Sequence, residues 1–133
     1  MISNKWAKLI KSLHLKKHRK AEQLFFVEGE KAVLELLQSD WPVVALFATD
    51  SFLNQHTALC QRAALLQNCS AAELEKVGSF SSNDSALAVV KIPQWHFTPP
   101  APTDWVLVLD SINDPGNLGT IIRIADWYGI RHI

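Results

Sequence analysis

The sequence is poor in several features that define particular protein classes. Among 133 residues it has only two cysteines, one methionine and one tyrosine. No apolar run approaches the roughly 18 residues that a membrane-spanning helix needs; the longest, VVALFA and WVLVL, have strand length. Thirteen Lys and Arg balance thirteen Asp and Glu, so the total charge indicates no polyanionic partner. These absences exclude a disulfide scaffold and favour one soluble globular domain.

The N-terminus and the cysteines bear on the cell compartment. Cations interrupt the apolar residues of the first 17 positions, which therefore lack the apolar centre of a signal peptide. Cys60 and Cys69 lie outside any metal-ligand spacing. We therefore expect free, half-buried thiols, no metal site, no membrane association and a cytoplasmic location.

Acidic residues are missing from the first twenty positions. That segment holds seven cations, whereas the remaining 113 residues carry six cations against thirteen anions. Such an asymmetry indicates an anionic partner even when the sum is zero. A basic helix face that is merely solvated explains the pattern equally well. The seven cations are Lys5, Lys8, Lys11, Lys16, Lys17, Arg19 and Lys20.

Apolar periodicity predicts a mixed α/β order up to residue 93. Ser3 can cap a first helix, whose apolar stripe runs from Trp6 to Leu13. Ser70 and Glu73 have capping-box spacing. Residues 63–67 fit either a short strand or a helix end. The predicted strands span residues 23–27, 41–47 and 86–92, and further helices span residues 30–38, 51–62 and 71–77.

Four prolines between Pro93 and Pro102 forbid helix and central strand, which predicts an extended linker. After it, residues 105–109 are apolar on both faces, as in a covered parallel sheet. A helix from about Asn117 to Tyr128 follows, then Gly129 in a C′ position and the start of a second strand. The helix should bury Leu118, Ile121, Ile122, Ala125 and Tyr128.

The segment after the linker is short for the apolar surface that it must bury. About thirty residues are too few to bury the apolar surfaces of a strand that is apolar on both faces and of an amphipathic helix. We therefore expect one complete domain followed by the first βα unit of a second, in a truncated chain. The alternative is that this strand joins the sheet of the first domain.

The loop from Asn113 to Arg123 follows a predicted parallel strand and begins a helix. Ligands bind at this place in open α/β sheets, because free N–H groups and the helix dipole favour anions. Gly116 and Gly119 allow close approach of a backbone, Asn117 can cap or orient, and Arg123 can reach a phosphate. An ordinary βα turn with a surface arginine is the alternative.

The stretch LDSINDPGNLGTIIRIADWYGI, residues 109–130, resembles the first signature motif of the SpoU (TrmH) RNA 2′-O-ribose methyltransferases. These belong to the SPOUT superfamily, with its knotted domain that binds S-adenosylmethionine. Asn117, Gly119 and Arg123 keep the family spacing. Residues 15–37 and 82–93 resemble the substrate-binding domain of many members, a small α/β fold shared with certain RNA-binding ribosomal proteins.

The resemblance implies a fold and a domain order. It implies a mixed α/β substrate-binding domain in residues 1–93, a linker in residues 94–104 and the first βα unit of an α/β-knot methyltransferase domain in residues 105–133. The second and third family motifs, which supply the S-adenosylmethionine pocket, have no counterpart here. The chain is therefore expected to bind RNA but to be inactive alone.

The resemblance also implies residue roles. Arg123 would lie near the target ribose 2′-hydroxyl of an rRNA or tRNA, with Asn117 holding the loop in register. The cofactor would be S-adenosylmethionine, and the complete enzyme would be a homodimer. A non-catalytic RNA-binding module is the competing interpretation. The active-site loop would include Asp114, Pro115, Gly116 and Gly119, and the phosphate-binding cations would be Lys16, Lys17, Arg19 and Lys20.

Overall fold

A computed structural model describes residues 1–94 and 96–133. The chain divides into two compact units, Met1–Gln94 and Trp95–Ile133, here called the N-terminal and the C-terminal unit. Trp95, which falls in the predicted linker, lies outside the described residues.

The N-terminal unit is a mixed α/β fold, as predicted. Its helices are α1 (Asn4–Leu13), α2 (Lys16–Glu22), α3 (Glu30–Gln38), α4 (Asp50–Gln55), α5 (Thr57–Cys60) and α6 (Ala71–Val77). Its strands are β1 (Leu24–Glu28), β2 (Val43–Ala48), β3 (Leu66–Asn68) and β4 (Ala86–Lys91).

The four strands form one sheet in the order β1-β4-β2-β3. β4 runs antiparallel to both neighbours, while β2 and β3 are parallel. Alternate residues of β4 point to opposite faces: Ala88 contributes to one core cluster and Leu87 to the other. All residues of β4 except Lys91 are buried, as expected for a strand covered on both sides.

Helices cover both faces of this sheet. One cluster joins Val33 and Leu37 of α3 to Phe52 of α4, and the other joins Leu13 of α1 to Leu74 of α6. Burial of such apolar side chains stabilises the fold by about 1.5–3 kcal/mol each. Both thiols are buried in these clusters rather than half-buried as predicted.

Local signals that the sequence carries are seen in the structure. Ser3 caps α1 by accepting the Trp6 N–H. Ser70 accepts the Glu73 N–H, and the Glu73 carboxylate accepts the Ser70 N–H, which completes the capping box. The ambiguous segment contains a strand, β3, because it pairs with β2.

Two features of the N-terminal unit differ from the sequence expectation. The predicted helix of residues 51–62 is broken at His56, whose backbone leaves the helical region between α4 and α5. α2 was not predicted, because its sequence KKHRKAE has no apolar periodicity and it buries no residue. Its lysines, arginine and alanine nevertheless have good intrinsic helix propensity.

The C-terminal unit contains one helix, α7 (Pro115–Trp127), flanked by extended chain. The two predicted strands are reduced to a single parallel bridge between Val106 and His132. Gly129 has a φ of +70° and ends α7 as predicted. Its N–H donates to Asp126 and the Ile130 N–H donates to Ala125, which is a complete Schellman motif.

The prediction that one face of α7 is buried is largely wrong. Ala125 is buried, but Leu118, Ile122 and Tyr128 are exposed, with 75% of Tyr128 accessible. Within residues 96–133 no second layer covers this face, so periodicity alone does not bury it. In the described part of the chain no helix is long and apolar enough to cross a membrane, and no group of residues is suited to hold a metal ion.

Candidate nucleic-acid interface and active-site loop

Three of the four predicted phosphate-binding cations lie exposed on α2. Lys16, Lys17 and Lys20 form no salt bridge with any carboxylate that the structure describes. The helix has no acidic residue in its first turn and buries none of its residues. Its charge is therefore available to a polyanion, which gains affinity by releasing counterions as lysines neutralise phosphates.

Arg19 has a structural role that sequence reasoning missed. Its Nη1 donates to the carbonyl oxygens of Leu13 at 2.9 Å and of His14 at 2.8 Å. These carbonyls lie at the end of α1, where they have no partner within the helix and where the helix dipole favours a cation. The two N–H groups of Nη1 are thereby used, and Nη2 and Nε keep three donors for another partner.

The predicted active-site loop begins α7 in the C-terminal unit. Asp114 is the N-cap, and its Oδ2 accepts the Asn117 N–H at 2.6 Å. Pro115 occupies the first helical position, where its missing N–H costs nothing. A Cβ on Gly116 would lie 3.0 Å from Asp114 Oδ2, so glycine gives the capping carboxylate its space.

Asn117 is not the cap that the sequence suggested. It lies inside α7, and its backbone N–H is the group that Asp114 caps. The Asn117 side chain makes no hydrogen bond to any residue that the structure describes, and it is exposed. Asp114 is the cap because it immediately precedes the helix and its carboxylate reaches the third helical N–H.

Arg123 is linked to the same loop through a residue that was not predicted. Its Nη2 donates to Thr120 Oγ1 at 3.4 Å, and Thr120 Oγ1 donates to the Gly116 carbonyl at 3.0 Å. The spacing of three and four residues places these groups on one helix face, a signal that the sequence already contains. Gly119 has no neighbour within 4 Å of the Cβ position, so this surface is open.

The described residues do not fit S-adenosylmethionine. The loop from Asp114 to Leu118 is wholly exposed, and Arg123 is exposed as well. A groove of about 730 Å³ in the C-terminal unit lies around Asp104 and His132, and its lining includes neither Asn117 nor Arg123.

The chain is similar to RNA methyltransferases among curated proteins and solved structures. Over 120 residues it is 31% identical to the 23S rRNA (guanosine(2553)-2′-O)-methyltransferase RlmP of Bacillus subtilis, covering 90% of this chain and 46% of that protein. Its fold matches a protein of Porphyromonas gingivalis assigned to the TrmH family of RNA methyltransferases, with a TM-score of 0.77, 32% identity and coverage of 99% and 51%.

A second solved structure is the rRNA methyltransferase of Sinorhizobium meliloti with bound AdoMet. The TM-score is 0.72 at 27% identity, covering 98% of this chain and 50% of that protein. The chain thus spans about half the length of the relatives it matches. The Bacillus subtilis and Sinorhizobium meliloti proteins are RNA methyltransferases, as the resemblance implied.

The family model described as the MRM3-like substrate binding domain matches residues 4–88, which include the whole core of the N-terminal unit apart from Ile2, Val89 and Val90. The chain belongs to the MRM3-like substrate-binding domain family.

Proposed function

We propose that the chain supplies RNA binding and one catalytic loop to a SpoU/TrmH-type RNA 2′-O-methyltransferase. Such an enzyme transfers a methyl group from S-adenosylmethionine to a ribose 2′-hydroxyl of rRNA or tRNA. The observation that carries the proposal is the 120-residue similarity to the Bacillus subtilis enzyme. A match of that length within 133 residues cannot leave out the loop from Asp114 to Gly119.

In this proposal the N-terminal unit binds the substrate RNA through α2. Lys16, Lys17 and Lys20 contact phosphates, which gives affinity without sequence preference. The remaining donors of Arg19 add a phosphate contact while Nη1 holds the end of α1. Homodimerisation of the complete enzyme and a cytoplasmic location are parts of the same proposal.

Arg123 is proposed to act on the RNA at the reacting ribose. A guanidinium is a poor general base because it stays protonated in proteins. Its useful contributions are to orient the 2′-hydroxyl and to stabilise negative charge that develops on the attacking oxygen. The contact with Thr120 ties Arg123 to the Gly116 carbonyl and so to the loop.

Replacement of Arg123 tests the catalytic part of the proposal. In a complete methyltransferase that carries this sequence, Arg123→Ala should lower the rate of 2′-O-methylation by at least a hundredfold. Affinity for S-adenosylmethionine, measured by calorimetry, should not change, because Arg123 is proposed to act on the RNA. The matched control is Arg131→Ala, which removes another exposed cation of the C-terminal unit. Near-normal turnover of Arg123→Ala would remove this residue from the mechanism.

Replacement of the α2 lysines tests RNA binding in the 133-residue chain. The triple variant Lys16→Ala, Lys17→Ala, Lys20→Ala should weaken binding to single-stranded RNA. It should also reduce the salt slope of log K by about 2, since each phosphate contact contributes about 0.7. Fluorescence anisotropy at several salt concentrations gives both quantities.

The control for this experiment removes the same charge from α1. Lys5, Lys8 and Lys11 are also exposed, and their triple alanine variant should leave most of the slope intact. An equal loss in both triple variants would show that net charge, and not the α2 surface, determines binding.

A further inference from the structure

A groove of about 490 Å³ lies in the N-terminal unit between the end of α1, α2 and β1. This volume falls within the roughly 300–1,000 Å³ of typical small-ligand sites. β1 is an edge strand of the sheet, so no neighbouring strand covers the groove. The lining residues that matter here are His14, Arg19, Phe26, Glu28, Ser79 and Phe80.

Aromatic rings form much of this groove. Phe80 is 53% exposed although it lies in a polar loop, and Phe26 is half-buried with its ring centroid 4.9 Å from that of His14. Ligand grooves are commonly lined by apolar and aromatic side chains such as these. The Phe80 ring lies beside Gly29, whose φ of +88° is in the left-handed region that favours glycine.

The loop that carries Phe80 is held in place. The Ser79 N–H donates to both oxygens of the buried Glu28 carboxylate, at 2.9 and 3.0 Å. Ser79 Oγ lies 3.4 Å from His14 Nδ1, and His14 Nε2 lies 2.9 Å from the Val77 carbonyl oxygen. The backbone next to Phe80 is therefore anchored before any ligand arrives, which lowers the entropy cost of ordering this loop on binding.

Cations border the same groove. Arg19 lines it and keeps three donors, and the exposed lysines of α2 lie on the helix that packs beside β1. Aromatic faces next to a basic surface are the combination that binds single-stranded nucleic acid, because bases stack on the rings while cations contact the phosphates.

We propose that this groove binds an unpaired base of the substrate RNA, stacked on Phe80, while α2 contacts the adjoining phosphates. The proposal rests on the proposed RNA-binding function and names the form of RNA that the N-terminal unit recognises. Proteins commonly recognise RNA through unstacked bases in loops and bulges, since the deep major groove of an RNA duplex excludes side chains. The free edge of β1 could instead pair with a peptide strand, but the cations around the groove favour the polyanion.

The test measures binding of the 133-residue chain to a short oligoadenylate and to its duplex with oligouridylate. Phe80→Ala should weaken binding to the single strand about tenfold, the size of one lost stacking contact. Its salt slope should not change, because no charge is removed. Affinity for the duplex should stay the same. Phe80→Trp should restore single-strand binding and add a fluorescence signal that the bases quench.

Controls separate stacking from folding. Phe97→Ala removes a ring that is 86% exposed in the C-terminal unit and should not alter binding. Phe80→Leu keeps apolar volume without a ring, so it should bind as weakly as Phe80→Ala while unfolding at the wild-type temperature. An oligoadenylate with abasic positions should bind both wild type and Phe80→Ala equally weakly.

The outcomes distinguish this proposal from the proposed function. If Phe80→Ala bound RNA with wild-type affinity while the α2 lysine variant bound it more weakly, the proposal that the groove binds a base would be overturned. The proposal that the chain binds RNA through α2 would stand. If the unsubstituted chain bound neither RNA, both proposals would fail. A Phe80→Ala variant that lost self-association in sedimentation but kept its RNA affinity would assign the groove to a protein contact and overturn the proposal.

Discussion

The two units use the same local signals and differ in burial. α1 and α7 both begin with a side-chain cap, Ser3 and Asp114, and both have apolar periodicity. Ile10 and Leu13 of α1 are fully buried, whereas Ile122 and Ile124 of α7 are exposed. All but one of the buried hydrophobic residues that the structure describes lie in the N-terminal unit. In these two helices capping and periodicity mark where the helix forms, whereas neighbouring layers determine whether its apolar face is covered.

The largest difference between the units should appear on truncation of one apolar side chain in each. Phe47 is fully buried and contacts Trp6 edge to face, at 5.5 Å between centroids. Phe47→Ala should lower the free energy of unfolding by about 3–5 kcal/mol. Ile122→Ala, at 47% exposure, should change it by less than about 0.5 kcal/mol. Urea unfolding followed by circular dichroism measures both, and similar losses would contradict the comparison.

Replacement of Arg19 and of Arg123 should give an intermediate difference in the free energy of unfolding. Arg19→Ala removes two charge-assisted hydrogen bonds at the end of α1 and should cost about 1.5 kcal/mol. Arg123→Ala removes one exposed contact of 3.4 Å and should cost less than about 0.5 kcal/mol. Thermal unfolding of the two variants compares them directly, and Arg19→Lys should recover only part of the loss. Equal stabilities would mean that Arg19 does not hold α1.

The smallest expected effect is a loss of stability of the N-terminal unit at acid pH. Hydrogen bonds from the backbone N–H groups of Ser70 and then Ile2 lower the pKa of Glu73 below its ordinary value of 4.5. A lowered pKa gives stability that is present above pH 4.5 and is lost as pH falls through the folded-state value.

Replacement of Glu73 tests this dependence. Glu73→Gln should be less stable than wild type at neutral pH, and the difference should shrink below pH 4.5. Thermal unfolding across a pH series measures the difference. Glu75→Gln, on the same helix but without a hydrogen bond to any residue that the structure describes, is the control. A constant difference at all pH values would contradict the assigned role of Glu73.

Sequence reasoning succeeded where one local interaction decides the structure. The capping box of Ser70 and the left-handed Gly129 both follow from short-range stereochemistry. It failed where distant residues decide. Burial of α7 depends on a layer that periodicity does not supply, whereas α2 was missed for a local reason, because its residues have good helix propensity but no apolar periodicity. The role of Arg19 required the position of the α1 carbonyls, and the groove at Phe80 required the topology of the sheet.

The strand order β1-β4-β2-β3 has a consequence for synthesis of the chain. β4 is the last strand of the sheet to be made, yet it lies between β1 and β2 and supplies the only sheet partner of β1 among the described strands. In a nascent chain that ends before Ala86, β1 therefore has no partner strand, and α1 has no complete sheet to pack against. The N-terminal unit should fold in one late step, once residues 86–91 have left the ribosome, and its first eighty residues need protection from aggregation until then.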